Sequence, residues 1–101
     1  MYFFAIKKTQ VFEGYKMSYN NMFDEALIFF DNGNFEDAET IARQLIETSP
    51  DNPEILNFLG LIAQTKGLHS EACNYFSAAL RQKPNTASYL FNLAFSLKLS
   101  N

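Results

Sequence analysis

The chain of 101 residues has no tryptophan, one cysteine, one histidine, three prolines and four glycines. A lone Cys73 has no partner for an internal disulfide, and no Asn-x-Ser/Thr acceptor occurs; both favour a reducing compartment, so the cytoplasm is the expected location. A single His69 leaves little scope for a Ser/His/Asp arrangement. Eight basic against eleven acidic residues give a net charge of −3, without the basic excess that drives counterion release on phosphate backbones. Nucleic acid is therefore not an expected partner. No apolar run approaches the roughly 20 residues of a membrane span. The segment Tyr2-Phe3-Phe4-Ala5-Ile6 is shorter than a signal-peptide apolar region and is followed, not preceded, by Lys7 and Lys8.

What is abundant is phenylalanine. Eleven Phe and five Tyr contribute to a hydrophobic fraction of 48%, with 19% charged residues, enough to bury a core. The length suits one domain.

A period of 34 residues organises the chain. It relates Gly33 to Gly67, Ala38 to Ala72 and Pro50 to Pro84, and it carries Ala26 to Gly60 and Ala94, and Leu27 to Leu61 and Phe95. Ser18, Asn52 and Thr86 follow the same spacing, each before an apolar-periodic run and each able to cap a helix. Pro53 then occupies a first helical position, where its missing N–H costs nothing. The pattern predicts helices over Tyr19–Asn32, Phe35–Thr48, Pro53–Lys66, Ser70–Gln82 and Ala87–Leu99, with Gly turns at Gly33 and Gly67. Ala38, Ile41, Ala42, Leu45 and Ile46 form one stripe of the second helix.

These residues resemble the tetratricopeptide repeat family, in which each 34-residue unit is a pair of antiparallel helices. The unit 53–86 matches best, with Leu56, Leu59, Gly60, Ala63, Gly67, Ala72, Phe76, Ala79 and Pro84 on signature positions. The unit 19–52 keeps Ala26, Phe29, Gly33, Phe35, Ala38 and Pro50, but has Met22 and Glu25 at earlier apolar positions, Ala42 where an aromatic is usual and Leu45 where Ala is usual. Residues 87–101 supply the first helix of an incomplete third unit, with Leu90, Leu93, Ala94 and Leu97. The resemblance implies an all-α, right-handed solenoid of helix pairs. Residues 1–18 have no counterpart in the repeat; a capping helix, a short strand and a disordered extension are the readings open for them, and Met17 is a second candidate start.

The resemblance also implies a non-catalytic protein–protein interaction module, whose first helices line a concave groove for a peptide segment. Through the period, the groove positions are Phe23, Leu27 and Phe30, then Asn57, Leu61 and Gln64, then Phe91, Phe95 and Lys98. Family members that grip a chaperone's carboxylate terminus carry Lys, Arg and Asn at such places; here Phe23, Leu27, Phe58, Ser88 and Asn92 stand there, so that clamp is absent. No cofactor is expected. His69 and Cys73, four apart, are only two of the four ligands that a structural zinc site needs, and read better as a turn histidine and a small buried thiol. Glu36, Asp37 and Glu39 suit the positive end of a helix dipole. Alternatives are a substrate-positioning repeat region of a larger glycosyltransferase- or methyltransferase-like enzyme, or a secretion-type chaperone.

The helix 87–99 is apolar nearly all round, through Tyr89, Leu90, Phe91, Leu93, Ala94, Phe95, Leu97 and Leu99, which is the pattern of a buried helix. The expectation is that it is covered, either by more of a longer array or by a second copy in a homodimer.

Overall fold

The computed structural model describes residues 19–100, and the readings for residues 1–18, including the Ser18 cap, lie outside them. Among the described residues every regular element is helical: α1 (Tyr19–Asp31), α2 (Phe35–Thr48), α3 (Pro53–Thr65), α4 (His69–Gln82) and α5 (Ala87–Ser100). The starts of α1, α3 and α5, and those of α2 and α4, are 34 residues apart, so the sequence period is a structural one. Each boundary lies within a residue of its sequence-based expectation.

Local chemistry accounts for these ends. Gly33 and Gly67 have φ of +82° and +79°, the left-handed conformation that a Cβ disfavours. The amide of Asn34 donates to the Phe29 carbonyl at 2.8 Å and that of Gly33 to Phe30 at 3.0 Å; Leu68 to Ala63 at 2.9 Å and Gly67 to Gln64 at 3.1 Å repeat the same paired closure. Asn52 caps α3 through Oδ1, which accepts from the amides of Glu54 at 2.9 Å and Ile55 at 3.1 Å. Thr86 starts α5 in the backbone sense, its carbonyl accepting from Leu90 at 3.1 Å.

The core is a chain of small clusters between neighbouring helices, as a solenoid requires. Ala26, Phe29, Ala38, Ala42, Leu45, Ile55, Phe58, Leu59 and Ile62 form the first and largest. Ala63, Ala72 and Phe76 form another, and Leu56, Ala79 and Tyr89 a third. Side-chain size is compensated between units. Phe76 is fully buried over Gly60, which has no side chain, whereas the first unit has Ala26 at that helix position and the smaller Ala42 in place of the aromatic, both fully buried. The departure of Ala42 from the family pattern thus goes with Ala26, which carries the Cβ that Gly60 lacks.

Within the lone chain Tyr89 and Ser96 are the buried residues of α5, while Leu90, Phe91, Phe95, Leu97 and Leu99 are exposed; α4 and, more lightly, α3 pack against it. One expectation is corrected. Cys73 is half-buried rather than buried, since it stands beside Ala72 on α4 and not on the inward stripe.

Candidate partner-binding surface

The positions that the period assigns to the groove lie on α1, α3 and α5. They divide into three kinds. Phe23 and Phe30 are half-buried and meet Phe58 edge-on, each with ring centroids 5.5 Å away; Phe30 also meets Phe35 at 5.2 Å. Phe58, only 2% exposed, is the hub of this aromatic set rather than a groove residue. Such edge-to-face pairs add about 0.5–1.5 kcal/mol each beyond area burial. Phe23 and Phe30 therefore fix α1 on α3 and offer a partner only their outer edges.

The middle of the row is polar and occupied. Asn92 Nδ2 donates to Asn57 Oδ1 at 3.0 Å, and Gln64 Nε2 donates to Ser96 Oγ at 2.8 Å, so two of the assigned groove side chains hold α5 to α3. Leu61, half-buried, packs on the cluster of Ala63, Ala72 and Phe76. The missed partner is Ser96, the buried small polar residue on the side of α5 that faces the preceding unit.

The outer ends of the row are open. Leu27 is exposed on α1. On α5, Phe91 and Phe95 stack one turn apart, ring planes 11° from parallel and centroids 6.3 Å apart, with Phe91 69% and Phe95 44% exposed. Lys98 is exposed beside them. Exposed aromatic rings in one patch are unusual on a surface without a partner.

A polar cluster joins α2 and α4 to the end of α3 instead. Arg43 Nε and Nη2 donate to Glu39 Oε2 at 2.9 and 2.7 Å, Lys66 Nζ donates to Glu39 Oε1 at 2.8 Å, and Arg43 Nη1 donates to Tyr75 Oη at 3.3 Å. The hydrogen bond from Lys66 is the main cause that holds the Glu39 carboxyl below the usual carboxylate range; partial burial opposes it and Arg43 adds to it. The same contacts raise Arg43 and Lys66 above their ordinary values, with Glu39 as the first cause in both. The cleft beside this cluster encloses about 10 Å³, room for a single water and too little for a small-molecule ligand. His69 opens α4, half-buried, with Nδ1 unpartnered among the described residues. Among those residues, no three His, Cys, Asp or Glu side chains are grouped to hold a metal, and no helix is long and apolar enough to cross a membrane.

A search of curated proteins finds no match to this chain. A family model described as tetratricopeptide repeat matches residues 23–87, from α1 through the start of α5. That match covers well over half of the chain, and the glycine turns and paired helices of the same segment carry the repeat, so the chain belongs to the tetratricopeptide repeat family, whose members mediate protein–protein interaction.

Proposed function

We propose that the chain is a non-catalytic module that binds an apolar peptide segment of a partner protein along the first helices. The stacked pair Phe91 and Phe95 carries this reading: two exposed rings cost free energy in water that a partner's apolar side chain would recover, at roughly 25 cal/mol per Å² covered. Leu27, Leu61 and the outer edges of Phe23 and Phe30 extend the surface. Asn57 and Gln64, whose side-chain amides each have further hydrogen-bonding capacity, give polar contacts between the apolar ends. Lys98 supplies a cation that favours an acidic residue in the peptide. The net charge of −3 supports a protein partner over nucleic acid, and the lone cysteine supports the cytoplasm as its place of work.

Selection from a random peptide library on the immobilised chain tests this. Sequences with two or more large apolar residues are expected, and binding should fall at least tenfold for Phe95→Glu and for Leu27→Glu. Both positions are exposed, so circular dichroism should show an unchanged helical fold. Peptides retained in full by both variants would remove the groove from consideration.

A further inference from the structure

Helix α5 has a second apolar face, separate from the stacked phenylalanines. Leu90, Ala94 and Leu97 stand at i, i+4 and i+7 and so share one side of the helix, with Lys98 between that row and the pair of rings. Leu90 and Leu97 are 48% and 49% exposed. One period earlier the same positions are Leu56, Gly60 and Ala63, all buried, in the clusters that α4 closes with Ala72, Phe76 and Ala79. This edge of α5 therefore has the composition of a covered surface.

Its residues specify the cover. A Cβ at Gly60 would stand 2.5 Å from the Phe76 ring, and Ala94 has that Cβ. Leu97 also stands where α3 has the smaller Ala63. A ring cannot approach Ala94 as Phe76 approaches Gly60, so the covering helix must place a small residue there, as the cluster with Ala26 and Ala42 does. The row meets that need itself. Leu90 and Leu97 are equidistant from the point between Leu93 and Ala94, so an antiparallel copy sets Leu90 on the partner's Leu97 and Ala94 beside the partner's Ala94. Lys98 is the only charged residue of α5, and in this pairing the two ammonium-bearing positions fall about 13 Å apart along the axis, beyond direct repulsion. The alkyl stem of Lys98 lies beside the row and can cover its edge while the ammonium stays in water.

We propose that the Leu90–Ala94–Leu97 face joins two copies of this chain, with α5 antiparallel to α5 about a two-fold axis near Ala94. The interface is isologous, and its row leaves out Leu27 and Phe95.

Sedimentation equilibrium from 1 µM to 1 mM is the test, with the full chain and with Leu90→Glu and Leu97→Glu. The expected result is a monomer–dimer equilibrium in the micromolar range for the wild type, weakened at least a hundredfold in both variants, whose helical circular dichroism is retained. In a Cys73→Ser background, Ala94→Cys should form a disulfide-linked dimer under mild oxidation while Glu71→Cys, on the exposed side of α4, should not. A wild type that is monomeric throughout overturns the proposal. So does a dimer that Leu97→Glu leaves intact, or cross-linking at residue 71 equal to that at residue 94.

Discussion

A Cβ on Gly60 would come 2.5 Å from Cε1 of Phe76, well inside carbon–carbon contact distance. Phe76 is fully buried, so its ring is not the free end of an exposed side chain. Alanine is the better helix former by about 1 kcal/mol, and overpacking costs about 1–3 kcal/mol. With a fully buried ring as the obstacle, the clash wins. Gly60→Ala should lower the stability measured by urea unfolding by about 1–2 kcal/mol. Combined with Phe76→Leu, which withdraws the ring, it should cost less than the two single changes added together; additivity would show that the two residues do not share this space.

The turn glycines behave differently. Gly33 and Gly67 have nothing within 4 Å of where a Cβ would stand, so any cost there comes from their positive φ and not from contact. Gly33→Ala and Gly67→Ala should each destabilise by about 1 kcal/mol. Replacement of Phe76 should leave these losses unchanged, in contrast to Gly60→Ala. Urea unfolding of the paired variants reads this directly.

The helices were legible in the sequence because their signals are local and repeated: a glycine that must take φ near +80°, an Asn52 cap followed by Pro53, and small residues one period apart. Phe58 and Ser96 were not legible in the same way. Phe58 sits next to Asn57 in sequence, and a rotation of about 100° around α3 separates a groove residue from a core one. The period gave the same helical position to Asn57 and Phe91, yet one is tied to Asn92 and the other is open, because α5 has a neighbour on one side only. Periodicity assigns positions within a unit; what each position touches depends on whether the next unit is there.

The Glu39 cluster sets a pH dependence whose sign is fixed. Hydrogen bonding from Lys66 lowers the Glu39 pKa in the folded chain. Its contribution is therefore complete above the unfolded value, about 4.3 for glutamate, and is lost as pH falls through the lower folded value. Lys66 is raised, so its share is present below the unfolded value and is lost only in strong alkali. Stability of wild type and Glu39→Gln, measured by urea unfolding from pH 7 to pH 2.5, should differ most above about pH 5 and converge in acid. A difference that stays constant over that range would mean that the carboxylate charge is not what Lys66 and Arg43 hold. The partners are partly exposed, so 1 M salt should narrow the difference at pH 7.

The attachment of α5 rests on a polar residue as well as on the buried Tyr89 and the half-buried Leu93. Ser96 is fully buried and accepts a 2.8 Å hydrogen bond from Gln64, while Phe91 on the same helix is mostly exposed. Ser96→Ala removes one net hydrogen bond, about 1 kcal/mol. Gln64 is only half-buried and can turn to water, which keeps the loss near that figure. Ser96→Leu should cost more, because a large side chain must enter a space that already holds Gln64 against α5. Helix α5 is held mainly by α4, so the loss should appear first in α5. Amide exchange across residues 87–100 should accelerate about fivefold in Ser96→Ala, the equivalent of 1 kcal/mol, while the amides of α1 and α2 change less. An equal acceleration in all five helices would show instead that the Gln64–Ser96 bond stabilises the whole chain as one cooperative unit.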